Sequence, residues 1–359
     1  MNSKLILSTR KGLIIYSNKS GSWKFESCHF IGIPVSLFYR DPNNNRWWAC
    51  LDHGHWGCKL HYSDNEGSNW LEVDAPKYPE DAHIKVGEPA VTKYLWAVGS
   101  SHQNGQSKLY IGTEPGGLFE SNDNGENLTL VEGLWKHPTR ESQWFGGGRD
   151  HAGIHSILTE PENPDQIYVG ISVAGVFKSE DGGKSWIPKN KGLKADFLPD
   201  PDSEVGQDPH LLTWCENHRN VMWQQNHCGI FRSVDHGENW TDISEEEGPA
   251  KFGFAIQADE NNPEVAWVVP AISDEIRVAV GQSLCVSRTD NGGKTWTSYR
   301  KGLPQEASFD ITFRHALTKK KDMLAFGTTT GNLYLSNDGG ESWNSINNNL
   351  PLIYAAEFI

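Results

Sequence analysis

The chain has 359 residues, with 46 acidic against 32 basic ones and a formal net charge of −14. That balance excludes a sequence-independent nucleic-acid binder, which needs a basic surface to neutralise phosphates, and no Lys/Arg-rich block stands out. Hydrophobic residues at 37% suit a soluble globular chain, while 36 Gly and 15 Trp point to tight turns and large packed rings rather than helices.

Taken in chain order, Lys4 to Ser8 and Gly12 to Tyr16 read as strand, turn, strand, and nothing before them has the pattern of a signal peptide. The longest apolar runs, such as Val265 to Ile272, fall far short of a membrane span, so no membrane partner is expected. The six cysteines form no C-x-x-C pair, which predicts free thiols and a cytoplasmic location.

An octapeptide then recurs. Ser63-Asp64-Asn65-Glu66-Gly67-Ser68-Asn69-Trp70 returns at Ser121 to Leu128, Ser179 to Trp186, Ser233 to Trp240, Thr289 to Trp296 and Ser336 to Trp343. The starts are 58, 58, 54, 56 and 47 residues apart, and a worn copy lies at Ser17 to Trp23. A hydroxyl, an Asp or Asn, and a Gly that tolerates positive φ are the parts of a hairpin turn. Trp opens the following strand with a large apolar face.

Before each box runs a short strand, as at Gly117-Leu118-Phe119 and Gly175-Val176-Phe177, and before that another, as at Leu109 to Gly112 and Ile167 to Gly170. Further upstream lies an apolar strand, as at Gly153 to Thr159, Leu211 to Cys215, Phe252 to Ala258 and Ile311 to Ala316. Four antiparallel strands per repeat of about 50 residues is the signature of a propeller blade. Seven units predict an all-β, seven-bladed β-propeller occupying 1–359 as one domain. The first blade begins on its second strand, so Leu352 to Phe358 is expected to supply its innermost strand and remove the open edge.

The boxes resemble the Asp-box, or BNR, repeats of sialidases, sortilin-type receptors and related propellers. Strand order puts the boxes on the turn between the third and outermost strands. The remaining turns and the links between blades therefore share the opposite end.

That end carries Thr9-Arg10-Lys11, His53-Gly54-His55-Trp56, Glu114-Pro115, Asn226-His227, and the links with Glu88, Gly146 to His151, Asp208-Pro209-His210 and Asp310. Six of the 14 histidines (53, 55, 151, 155, 210, 227) map there. Imidazoles and carboxylates in a concave mouth can move protons, which makes Glu88, Asp150, His151, His155, Asp208, His210 and His227 the catalytic candidates.

Arg10, His53, His55, Trp56, Glu114, Arg149, Asn226 and Asp310 are the substrate-binding candidates, with His53 and His55 at i, i+2 expected to point to one side. His155, His210 and His227 could together hold a divalent metal with an open position. Trp56 and Trp144 could be binding platforms, although Trp more often packs between blades. Lys319-Lys320-Lys321 reads as a solvated hairpin tip, and the Asp- and Pro-rich stretch from Lys191 to Gln207 as an insertion long enough to form a lid.

Ser8-Thr9-Arg10-Lys11-Gly12-Leu13, Gly148-Arg149-Asp150-His151, Gly206-Gln207-Asp208 with His210, and Gln225-Asn226-His227-Cys228-Gly229 are similar to stretches of bacterial cytoplasmic BNR-repeat proteins, often labelled glycosyl hydrolase or exo-α-sialidase. The resemblance implies a hydrolase- or lyase-like enzyme acting on a small polar or carbohydrate-derived substrate. The sialidase motif Phe/Tyr-Arg-Ile-Pro is missing and no third carboxylate-clamping Arg accompanies Arg10 and Arg149, so true sialidase chemistry is not expected. The competing class is a non-catalytic propeller scaffold for a ligand or a protein.

Overall fold

A computed structural model describes residues 3–103 and 106–359. Its strands form seven four-stranded antiparallel sheets, and the only other sheet among the described residues is a two-stranded hairpin. In each four-stranded sheet the strands lie in the order in which the chain makes them, apart from one. These are the blades of a seven-bladed β-propeller, as the repeat predicted. No helix is long and apolar enough to cross a membrane. By contact density the chain divides into two units.

The first unit comprises Met1–Val35, Lys191–Asp196 and His210–Ile359. Its exceptional sheet joins Lys4–Thr9, Gly12–Lys19 and Ser22–His29 to Ile353–Phe358 from the far end of the sequence. Leu5 faces Phe358 and Leu7 faces Ala356 across the antiparallel ladder, so the expected closing strand is present. Leu5, Leu7, Ile353 and Phe358 are buried in one cluster, and apolar contact holds the seam as much as the ladder does.

The inner strand of the last sheet departs from expectation. It is Leu317–Lys320, and the apolar run Ile311 to Ala316 before it is irregular. The backbone bonds of that run go elsewhere: Ile311 O accepts from Thr329 N, His315 O from Ala356 N, and Ala316 N closes a turn onto Phe313 O. Burial of Ile311 and Ala316 thus needs no ladder at this point. The triple lysine is correspondingly not a solvated tip. Lys319 lies within the strand with its side chain 5% exposed, paired to Asp259 at 2.9 Å and Glu260 at 2.5 Å, and only Lys321 reaches the turn.

The second unit comprises Ser36–Asn190 and Phe197–Pro209 and holds three blades. Its sheets approach closely where side chains are small: a Cβ on Gly112 would lie 2.6 Å from Ile154 of the next sheet. The links between its blades are more elaborate than the repeat suggested. One contains the hairpin His83–Lys85 with Glu88–Pro89, and the next contains two single helical turns, Glu132–Trp135 and Arg140–Gln143.

The octapeptides form the predicted turns in both units. In the copy starting at Ser179, the Ser179 hydroxyl accepts from Gly183 N at 2.9 Å and donates to Asp181, whose Oδ1 accepts from Ser185 N at 2.9 Å. The copy starting at Ser63 repeats this with Asn65 in place of Asp. Three side-chain bonds per turn, from the N–H groups of Asp181, Gly183 and Ser185 in the first copy and of Asn65, Gly67 and Asn69 in the second, satisfy backbone groups that the tight reversal leaves without ladder partners.

Candidate functional site

In the second unit, the end of the sheets away from the octapeptide turns carries a cavity of about 230 Å³. Its walls come from the two elaborate links: Glu88 from the hairpin, Trp135 and Arg140 from the helical turns, and Phe145, Asp150 and His151 from the glycine-rich stretch that follows. A Cβ on Gly146 would lie 2.2 Å from Asp150 O, so only glycine lets the chain double back here to present Asp150 and His151.

Behind the cavity Glu114 is 2% exposed and accepts from Arg149 Nε and, at 3.3 Å, from His151 N. Arg149 sits over Tyr94, its guanidinium carbon 4.1 Å from the ring centre, and 5.5 Å from that of Trp96. Charge pairing and ring stacking together hold this guanidinium in one orientation. Lys93 Nζ donates to His151 Nε2 at 2.9 Å, which places the imidazole proton on Nδ1. Glu88 Oε1 is 3.5 Å from the same nitrogen, and Asp150 Oδ2 is 3.6 Å from Lys93. Two solvent-reachable carboxylates therefore flank one lysine–histidine pair.

Five of the expected residues fall elsewhere in this unit. His155 is fully buried, its Nδ1 bonded to Ser156 Oγ at 2.9 Å and its ring at the edge of Trp96. Asp208 accepts from Val173 N at 3.0 Å. His53, His55 and Trp56 lie on a single 3₁₀ turn rather than a strand. At three residues per turn, i and i+2 diverge, so the two histidines do not share a side. Trp56 is 70% exposed with His55 against it, as a platform would be. Trp144 does line the cavity, but it is buried against His137 and Phe177 and donates to Thr139, so it serves as wall rather than as an open platform.

Burial pushes the Cys58 thiol up to about 12, Asp52 adding to the effect and Arg149 opposing it. No disulfide joins the six cysteines, as expected. Between Asp200 and Gly206 the stretch read as a lid is pinned by Gln207, whose Nε2 donates to Ser203 O at 2.7 Å and Pro201 O at 3.2 Å.

In the first unit, His210 and His227 are brought together, ring centres 5.7 Å apart. His210 is 2% exposed, donates from Nδ1 to Gly253 O at 2.6 Å, and stacks on Phe254 at 4.7 Å. His227 Nε2 lies 3.8 Å from Asp274 Oδ2. Arg10 is exposed on its turn, its N–H bonded to Leu352 O. Asn226 shapes the next turn by accepting from Cys228 N, and Asp310 is buried with one oxygen on Thr330 and the other on Asn332. Both side chains serve their loops.

Lys93, Tyr94, Trp96 and Arg140 are not among the residues the sequence points to, whereas Trp135 lies in Gly133-Leu134-Trp135, one of the stretches similar to the BNR-repeat proteins. The alternation Lys93-Tyr94-Leu95-Trp96 at the head of a strand is the one local signal that two of them share a face.

No family model matches the chain. It is 22% identical over 265 residues, 62% of its length, to an oligoxyloglucan-reducing end-specific xyloglucanase of Emericella nidulans. It is 20% identical over 265 residues to a xyloglucanase of a Paenibacillus species. It spans 31% and 24% of those proteins, about a quarter to a third of their length. Among solved structures it is similar to the GH74 xyloglucanase from Xanthomonas campestris, with a TM-score of 0.64 at 14% identity, covering 96% of this chain and 52% of that one. It is also similar to YCF48 from Cyanidioschyzon merolae, with a TM-score of 0.53 at 13% identity and 92% of both chains covered. What the chain shares with these structures is the β-propeller fold.

Proposed function

We propose that the chain is a carbohydrate-acting propeller of glycosidase type, with the cavity of the second unit as its active centre. The observation that carries this reading is the pair of carboxylates, Glu88 and Asp150, on either side of Lys93 and His151 at a cavity walled by Trp135 and Phe145. Glycoside hydrolysis uses two carboxyl groups, one to protonate the leaving oxygen and one to activate water or attack the anomeric carbon. Glu88, 3.5 Å from the His151 imidazole, is assigned the proton donor, and Asp150, 3.6 Å from the Lys93 ammonium, the group that acts as carboxylate. Arg149, held by Glu114, offers its remaining N–H groups to substrate hydroxyls. The names of the curated relatives support a glycan substrate, and the octapeptide turns support reading the chain as an Asp-box propeller.

The test is release of reducing ends from a panel of plant β-glucans and xyloglucan oligosaccharides. Glu88→Gln and Asp150→Asn should each lower the rate by roughly 10²–10⁴-fold. Wild-type protein that cleaves nothing in the panel, or variants as fast as wild type, would sink this reading.

A second reading, a non-catalytic binding scaffold, is favoured by the match to YCF48, which covers nearly the whole of both chains, and by the similar structure described as YCF48 bound to D1 peptide. It predicts saturable ligand binding without turnover.

A further inference from the structure

We propose that the first unit carries a divalent transition-metal site built on His210 and His227, an inference that does not rest on the glycosidase reading. The two imidazoles come from one blade. His210 lies in the inner strand Pro209–Cys215, and His227 lies in the turn between His218–Asn226 and Gly229–Ser233. Their ligand nitrogens are within 4.8 Å of one another, close enough for one ion to draw them together by small side-chain rotations.

Three further features match what a metal site needs. Gly253 O takes the Nδ1 proton of His210 at 2.6 Å, which fixes the tautomer and leaves Nε2 as the unprotonated nitrogen. A backbone carbonyl or carboxylate behind each ligating imidazole is the usual supporting arrangement, and Asp274 Oδ2, 3.8 Å from His227 Nε2, is within reach of that role by a small side-chain rotation. The turn that carries His227 is itself braced, since Asn226 accepts from Cys228 N and Gln225 Nε2 donates to Gly229 O and Lys251 O.

Phe252 and Phe254 pack against the His210 ring, and Phe252 also meets His227. Such a shell limits competing water on the ring faces and leaves the nitrogens as the polar approach. Two imidazoles suit Zn²⁺, Co²⁺, Ni²⁺ or Cu²⁺ rather than Ca²⁺ or Mg²⁺, which prefer oxygen ligands. The ion's other positions are left for oxygen donors.

The experiment uses the full chain, untagged and stripped with a chelator, titrated with Zn²⁺ by calorimetry and with Co²⁺ by visible absorption. One equivalent should bind, with the d–d bands of nitrogen-ligated Co²⁺. His227→Ala should abolish the bands, and Asp274→Asn should weaken binding roughly 10- to 100-fold while keeping the stoichiometry. Because His210 is buried, His210→Gln, which can still donate to Gly253 O, is paired with the more accessible His227→Ala and checked by circular dichroism. Wild-type protein without saturable binding, or a folded His227→Ala variant that binds as tightly as wild type, overturns the proposal.

Discussion

Glu114 and Arg149 give the sharpest test of how the second unit holds its cavity. Glu114 is 2% exposed, whereas the Arg149 side chain is 36% exposed, so the carboxylate depends on the pair more than the guanidinium does. Arg149→Met removes the cation and leaves Glu114 buried with only the 3.3 Å bond from His151 N. Breaking a buried pair typically costs 3–5 kcal/mol, and water reaching the arginine side puts this one near the lower end, about 3 kcal/mol.

Unfolding entropy of about 2.1 cal/mol/K per residue over 359 residues converts that to a fall in Tm of roughly 4 °C. Glu114→Gln should cost less, because the amide oxygen still accepts. The double variant should recover part of the loss, giving a coupling of about 2 kcal/mol in a double-mutant cycle followed by calorimetry or urea unfolding. A coupling below about 0.5 kcal/mol would refute the claim that this pair is a buried, interdependent unit.

Acid sensitivity should be written in the octapeptide turns. Asp123 is held at about 2 by bonds from Ser121 and Asn127, and Asp181 at about 2 by the hydroxyl and N–H of Ser185. Depressed carboxylates stabilise the fold above the ordinary value near 4, and that contribution fades as pH falls toward 2. Both carboxylates are partly exposed, so screening limits each to roughly 0.5–1 kcal/mol. Asp123→Asn with Asp181→Asn should flatten stability between pH 4 and 2 in acid titration monitored by Trp fluorescence, with little change at pH 7, as the natural Asn65 turn already implies. Gly331→Ala should be severely destabilising, since φ is +88° and a Cβ would sit 1.7 Å from Leu350 O; a Tm within 2 °C of wild type, against roughly ΔΔG of 2 kcal/mol or more expected, would contradict this. Phe358→Ala should cost about 3 kcal/mol in urea unfolding by opening the seam beside Trp23.

The blades were legible because their turn chemistry is local. A hydroxyl, an Asx side chain and a glycine within five residues specify the reversal, and the same five recur at intervals that count the sheets. The strand Ile311 to Ala316 was misplaced because an apolar run reports burial, not ladder pairing, and its carbonyls found partners in Thr329 and Ala356. Lys319 looked solvated because its two acidic partners, Asp259 and Glu260, are some 60 residues upstream. Glu88, Asp150, His151 and Arg149 were visible as polar residues in links at one end. That Lys93 would join them, and that Glu114 would serve as the arginine's counter-charge rather than as a free ligand contact, depended on how two long links fold, which no repeat encodes.

The seam between Lys4–Thr9 and Ile353–Phe358 also sets a timetable for biosynthesis. The partner of the strand with Leu5, Ile6 and Leu7 is made some 340 residues after it. At 5–20 residues per second, that apolar edge waits roughly 20–70 seconds for its mate. Throughout this interval it is a template for pairing with other nascent chains. Yield in the cell should therefore respond to translation speed and to chaperones that shield the amino-terminal blade, even where the finished protein is stable.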